Sequence, residues 1–225
     1  VTGSASNVTF GAAGDLPLNG DFDGDRKSDV AVYRPSNASW WYRSSIGNTV
    51  TTVRWGSPSD IAAPADFDGD GRTDIAVFRP STGVWYVLNP TGPATILHFG
   101  LSEDKPVPAD YDGDGKTDIA VFRPNGTGGA EWWIANSSGG VFATQFGQPT
   151  DKAVPADYTG DGRTDIAYWN TSNGYWYILR SEDYSYFAFP FGGVGDLPVP
   201  ADYDGDNKAD AGVFRPSNAN WFLNR

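Results

Sequence analysis

The sequence predicts an all-β fold, a single five-bladed β-propeller of four-stranded blades, with residues 1–225 forming one domain. Three observations predict it. An aspartate-rich motif recurs five times at near-constant spacing, short β-branched and aromatic runs alternate with turn residues, and the two chain ends match the two parts of one interrupted repeat.

The motif D-x-D-G-D-x-x-x-D begins at Asp21, Asp66, Asp110 and Asp202, with a variant copy at Asp157. The spacings are 45, 44, 47 and 45, and the long one reflects three extra residues in the loop over 125–130. Behind each motif comes an apolar run such as Asp74-Ile75-Ala76-Val77-Phe78-Arg79-Pro80. A turn at Ser81-Thr82-Gly83 follows, then Val84-Trp85-Tyr86-Val87-Leu88, another turn, and Ala94-Thr95-Ile96-Leu97-His98-Phe99-Gly100. Such runs, punctuated by Gly, Pro, Asn and Ser, are strands and turns. No useful window shows helical periodicity.

The Ile75–Phe78 run is apolar on both faces, which suits a strand covered on both sides. Each copy holds a small residue inside it: Ala31, Ala76, Ala120, Ala167 and Gly212. Small side chains at a fixed place suit sheets that converge, as blades do near a propeller axis. With a short segment of the Val107-Pro108-Ala109 type before each motif, a unit supplies four strands. Counted through the termini, the distance from Asp202 back to Asp21 is 44, the internal period. Val8-Thr9-Phe10-Gly11 matches a fourth strand and Trp221-Phe222-Leu223 a third, so the N-terminal strand is expected to complete the last blade.

Carboxylates crowded on one tight loop repel each other unless a cation sits among them. Oxygen donors at positions 1, 3, 5 and 9, with Gly at 4 to turn the chain, suit a hard cation, Ca²⁺, rather than zinc. The expected ligands are Asp21, Asp23, Asp25 and Asp29; Asp66, Asp68, Asp70 and Asp74; and Asp110, Asp112, Asp114 and Asp118. The last two sets are Asp157, Thr159, Asp161 and Asp165, then Asp202, Asp204, Asp206 and Asp210. Position 7 adds a backbone carbonyl from Lys27, Arg72, Lys116, Arg163 or Lys208, whose cationic side chains are expected to point outward. Up to five Ca²⁺ ions follow, one per blade, the fourth weakest because Thr159 replaces a carboxylate. This is no EF-hand, because position 12 is Val32, Val77, Val121, Tyr168 and Val213 rather than an acid.

The formal charge is −12, and 19 of the 28 acidic residues lie in these loops, so five Ca²⁺ ions would leave −2. An acidic surface argues against a nucleic-acid partner. No stretch approaches the roughly 18 apolar residues of a membrane span. The absence of Cys excludes disulfides and thiolate chemistry, and with Met also absent the chain reads as a processed or excised segment. His98, in a strand, is the only His, and there is no G-x-S-x-G elbow or P-loop, so no enzyme is expected.

The motif, followed by I-A-V-F-R-P and W-Y, resembles the FG-GAP or VCBS-type repeat across essentially the whole chain. It is similar to the calcium-binding blades of integrin α-subunits and of many secreted bacterial proteins. The resemblance implies a propeller with Ca²⁺ in the hairpin between the first two strands of each blade. It also implies an extracellular setting, secreted or at the cell surface, and roles in adhesion, ligand binding or architecture. Thr159, Asn170-Thr171 in place of Arg-Pro, and five units rather than the seven blades usual in integrins depart from the pattern.

A Trp begins every third strand (Trp40, Trp85, Trp132, Trp176, Trp221) and a second aromatic follows it (Trp41, Tyr86, Trp133, Tyr177, Phe222). Packing between blades is the favoured reading over sugar stacking. Tyr175 and the Tyr184–Phe191 stretch, without counterparts elsewhere, are the better surface candidates. Arg34, Arg79, Arg123 and Arg215 recur before a turn, and Asp15, Asp60, Asp104, Asp151 and Asp196 recur six residues before each loop; an Arg–Asp ring holding the inter-blade connections is the favoured reading over ligand binding. Two functions remain open. One is a calcium-stiffened structural or protein-binding module, a monomeric domain of a larger extracellular protein. The other is a glycan-binding propeller, accessory to a secreted hydrolase.

Overall fold

The computed structural model describes residues 7–89 and 92–225. Its described residues form 19 strands and no helix, in five antiparallel sheets that make a five-bladed β-propeller. The first blade runs β1 (Leu16–Leu18), β2 (Val30–Arg34), β3 (Ser39–Arg43) and β4 (Val50–Arg54). The second runs β5 (Ile61–Ala62), β6 (Ile75–Arg79), β7 (Val84–Leu88) and β8 (Thr95–His98). The third holds β9 (Lys105–Pro106), β10 (Ile119–Gly126), β11 (Gly129–Ala135) and β12 (Val141–Gln145). The fourth holds β13 (Lys152–Ala153), β14 (Ile166–Trp169), β15 (Tyr175–Leu179) and β16 (Tyr186–Pro190).

The fifth blade has β17 (Leu197–Pro198), β18 (Ala211–Arg215) and β19 (Asn220–Asn224), three strands among the described residues. Of the segment expected to supply its fourth strand, residues 1–6 lie outside the description and 7–12 are irregular. Trp221 is 58% exposed, whereas Trp40, Trp85, Trp132 and Trp176 are 1% or less. The first strand of a blade also begins earlier than the Val107-Pro108-Ala109 segment suggests. Pairing runs Lys105–Phe122 and Pro106–Val121, the Val107 N–H donates to the Ala120 carbonyl at 2.9 Å, and past Pro108, which has no N–H to give, the bridge Ala109–Asp118 follows.

The chain divides into two compact units, Val1–Arg79 with Trp85–Leu97, and Pro80–Val84 with His98–Arg225. In the first, Phe22, Tyr33 and Trp40 of blade one pack with Ile75 and Val77 of blade two. In the second, Ala120, Phe122 and Trp132 join Ile166, and Ala167, Trp169 and Trp176 join Ala211 and Val213. Burying one such aromatic side chain contributes about 1.5–3 kcal/mol. Trp40, Trp85 and Trp132 pack on the aromatic of the second strand, as in Phe122–Trp132 at 5.2 Å, and Trp176 stacks on Phe189 of the fourth strand. Three satisfy their indole N–H locally: Trp40 donates to the Trp55 carbonyl at 3.0 Å, Trp132 to that of Phe146 at 2.8 Å and Trp176 to that of Phe191 at 2.8 Å. They are core, and no sugar reaches them.

The small residue of each second strand has a visible cause at Gly212. A Cβ there would stand 2.6 Å from the Val199 carbonyl and 3.1 Å from the Tyr203 ring. The recurrent Arg–Asp pairs are structural. Arg123 donates through Nε and Nη2 to both oxygens of Asp104 at 2.8 and 2.9 Å, and Arg34–Asp15, Arg79–Asp60 and Arg215–Asp196 repeat this fork. The guanidinium also lies over the second aromatic of the third strand, 4.4 Å from the Tyr86 ring centre in blade two. Blade four substitutes Asn170, which donates one bond of 2.8 Å to Asp151.

Candidate metal centre

Each aspartate loop joins the first and second strands of its blade, and it is shaped by its own first carboxylate. Asp110 Oδ1 accepts the N–H of Gly113 at 2.6 Å, and its Oδ2 accepts that of Gly115 at 2.9 Å. The same wrap recurs at Asp21, Asp66, Asp157 and Asp202. It requires a left-handed backbone at positions 4 and 6. Position 4 is Gly throughout, while position 6 is Gly71, Gly115 or Gly162 in three loops and Arg26 or Asn207, both at φ 68, in the others.

The ninth position closes the loop. Asp118 is fully buried, its Oδ2 accepting the N–H of Tyr111 at 2.8 Å and its Oδ1 that of Ser137 at 2.6 Å. Asp29, Asp74, Asp165 and Asp210 hold the aromatic at position 2 in the same way. That aromatic in turn covers the small residue of the second strand. Tyr111, Tyr158 and Tyr203 anchor it by donating their hydroxyls to the carbonyls of Val107, Val154 and Val199.

Three carboxylate oxygens come within 4.8 Å of one another in four loops: Asp21, Asp23 and Asp29; Asp66, Asp68 and Asp70; Asp110, Asp112 and Asp118; and Asp202, Asp204 and Asp206. Asp25, Asp74, Asp114 and Asp210 lie on the same loops outside these triples. The fourth loop forms no such triple among the described residues; there Thr159 occupies position 3 with a buried hydroxyl oxygen that has no hydrogen-bond partner. Burial, followed by the charges of Asp68, Asp66 and Asp70, pushes the Asp74 carboxyl up to about 6. Burial raises Asp118 and Asp165 as well. Desolvation also acts on Asp21, but the N–H groups of Arg26, Gly24 and Asp25 outweigh it and hold that carboxyl low.

Residues absent from the sequence reading complete the loops. Ser137 and Ser138, in the turn between β11 and β12, donate their hydroxyls to Asp114 at 2.6 Å and Asp112 at 2.5 Å. Ser44 and Ser45 serve Asp23 and Asp25, and Ser181 serves Asp161. Each carboxylate so held loses rotamer freedom before any ligand arrives.

The position 7 side chains do not simply point outward. The Arg72 stem lies across Gly24, that of Arg163 across Gly113, and that of Lys208 across Gly160, each over the loop of the preceding blade. The residue after it donates its N–H to the carbonyl of that loop's first aspartate. These bonds are Thr73 to Asp21 at 2.7 Å, Thr164 to Asp110 at 2.7 Å, and Ala209 to Asp157 at 2.6 Å. Lys27 instead approaches Asp25 of its own loop at 3.8 Å and is largely exposed.

An all-oxygen set of convergent carboxylates is chemically matched to a hard divalent cation. Asp74 and its neighbours repel one another at neutral pH, and a cation would remove that repulsion. The orphaned Thr159 hydroxyl is a further oxygen donor at the corresponding place.

Comparisons with known proteins agree on the architecture. The family model for the FG-GAP-like repeat matches residues 21–77, 66–121 and 110–167. No curated protein matches the sequence significantly. Among solved structures, the chain is similar to an Agrocybe aegerita lectin that recognises non-reducing terminal N-acetylglucosamine, at TM-score 0.55 and 18% identity over 93% of this chain and 79% of that one. It is also similar to streptogramin B lyase, at TM-score 0.57 and 10% identity over 97% and 70%. A catalytically inactive virginiamycin B lyase from Staphylococcus aureus with quinupristin gives TM-score 0.56 and 10% identity over 94% and 73%. These likenesses describe the fold.

Proposed function

The chain belongs to the family of FG-GAP-like repeat proteins, and on that premise we propose that it is a calcium-stabilised propeller acting as a structural and protein-binding module of adhesion type. Its setting in this reading is extracellular, within a larger secreted or surface protein. The observation that carries the proposal is the convergence of three carboxylates within 4.8 Å in four of the five loops. Asp and carbonyl oxygens would hold Ca²⁺, which would supply positive charge and cross-link each hairpin.

The non-catalytic part of the proposal rests on the sequence, which offers one exposed His and no Cys. Among the described residues no helix is long and apolar enough to cross a membrane. Titration of the metal-free chain with Ca²⁺ by calorimetry tests the reading. It predicts about four similar sites and one weaker, with Mg²⁺ a poor competitor because it favours a smaller, water-rich shell. Heat no different from a buffer blank would overturn it.

A second reading, glycan binding, is favoured by one feature outside the loops. Tyr184 stands 59% exposed with its ring parallel to Phe142, 5.4 Å between centres.

A further inference from the structure

The turn between β15 and β16 carries an anomaly. Arg180 and Ser185 pair across it as Ser44 and Thr49 do across the corresponding turn of blade one. The left-handed residue there is Asn48 at φ 59, a type that tolerates the conformation; here it is Tyr184 at φ 57. A bulky aromatic held in this region is strained, and such strain concentrates where a side chain must be presented. The turn presents the Tyr184 ring to Phe142 of β12, at one wall of a cleft between the third and fourth blades.

The cleft has a volume of about 130 Å³, and its polar lining includes Arg163, Arg180, Asn136 and Asp112. Arg180 Nε is buried without a hydrogen-bond partner, although its guanidinium is held 5.1 Å from the Phe187 ring centre. A buried donor left unpaired is rare in folded proteins and calls for a partner. Asp112 is engaged by Ser138 and Asp183 of the same turn acts on Arg180 from outside the cleft, so two arginines line the cleft with one carboxylate, itself occupied. That balance selects an anion, and the planar fork of Arg selects a carboxylate. A cavity of about 150 Å³ accommodates one benzene ring, so a single six-membered ring suits this cleft. The exposed Tyr184 face offers a ring a surface on which to stack.

We propose that the cleft between the third and fourth blades binds an acidic sugar, a uronate whose carboxylate is taken by Arg180 and whose ring stacks on Tyr184. The site is single. Positions matching Arg180 are Ser44, Asn89 and Asn136 in the first three blades, so no repeated pocket exists among these. The inference deepens the glycan reading and rests on it, and the cleft borders the third and fourth aspartate loops through Asp112 and Arg163.

The test is NMR titration of the full chain with sodium glucuronate, with glucose, sodium acetate and a short Asp/Glu peptide as alternatives, each in calcium and in calcium-free buffer. The expected result is saturable shifts confined to residues 134–146 and 179–187 with glucuronate, and affinity about tenfold or more weaker for the alternatives, a difference of about 1.4 kcal/mol. Arg180→Gln abolishes the preference for glucuronate over glucose. Tyr184→Asn relieves the backbone, so it keeps or raises the melting temperature while weakening glucuronate binding severalfold. Equal binding of glucose or acetate, preferential binding of the acidic peptide, or no shifts at all would overturn the proposal. Calcium-dependent melting without glucuronate binding rejects this inference alone, and the converse rejects only the calcium reading.

Discussion

Arg72 lies across Gly24. A Cβ on that glycine would stand 2.6 Å from Arg72 Nε and 3.0 Å from its Cγ, and the glycine itself sits at φ +83. Position 4 of the loop is therefore fixed twice, by its own left-handed turn and by a side chain from the next blade. Gly113 under Arg163 and Gly160 under Lys208 repeat the arrangement.

Gly113→Ala should thus cost more than Gly115→Ala. Both residues are left-handed, at φ +76 and +85, but only Gly113 has a neighbour in the way, whereas Gly115 faces open space. The backbone cost is about 1–2 kcal/mol at either site. The clash with Arg163 adds to it at Gly113 alone. Denaturant unfolding of the two variants checks the ranking, and equal losses would show that Arg163 yields freely.

Arg123→Gln should be among the most damaging single changes. It leaves the Asp104 carboxylate, whose side chain is fully buried, without its bidentate partner. Removing one member of a buried pair costs about 3–5 kcal/mol. Arg123 also packs 5.2 Å from the Trp133 ring centre, so the loss includes packing. A melting temperature within a degree or two of the parent would refute the structural role assigned to these pairs.

Without a cation, stability should fall as pH rises from about 4 to 7. Asp74 has a native pKa of about 6 against an ordinary 3.8, so between these values the native state holds a proton that the unfolded state has lost. Its contribution is full below about pH 4 and disappears through pH 6, worth about 3 kcal/mol for a shift of this size. Asp15 and Asp196, held low by Arg34 and Arg215, act oppositely: their contribution is present above the ordinary value and is lost as pH falls. Melting temperatures across this range in calcium-free buffer check the slope, and Asp74→Asn should flatten it.

The loops and blades were legible in the sequence because each depends on residue types at fixed offsets: Gly at position 4, Asp at 9, a small residue within the second strand, Trp within the third. The pairing of Arg123 with Asp104 was legible for the same reason. The serines that fasten the loop carboxylates were not. Their distance from the loop varies with the hairpin that carries them, from Ser45 in blade one to Ser137 in blade three, and the sequence of blade two has Pro90 at the matching position. The contacts of Arg72, Arg163 and Lys208 were hidden because their partners lie about one whole repeat away. Tyr184 stood out as an aromatic without counterparts, but only the structure sets it beside Phe142 and Arg180.

Thr159→Asp should raise Ca²⁺ affinity at the fourth loop alone. Thr159 Oγ1 is buried without a partner where the other loops carry a carboxylate, and affinity in such loops follows ligand charge. The measurement is a calcium titration of parent and variant. Five sites titrating together in the parent, or an unchanged weak site in the variant, would count against the assignment.

The central claim is that calcium holds these hairpins, and thermal melting with and without it tests that most directly. Extracellular calcium modules bind at about 0.1–1 mM. At about 1 mM Ca²⁺ and a dissociation constant of about 0.1 mM, one site adds about 1.4 kcal/mol. Four or five sites then approach the whole net stability of an ordinary domain, about 5–15 kcal/mol. The account predicts a melting temperature at pH 7 that falls by many degrees when Ca²⁺ is replaced by excess chelator, and recovers when Ca²⁺ is restored. A melting temperature indifferent to both would contradict it.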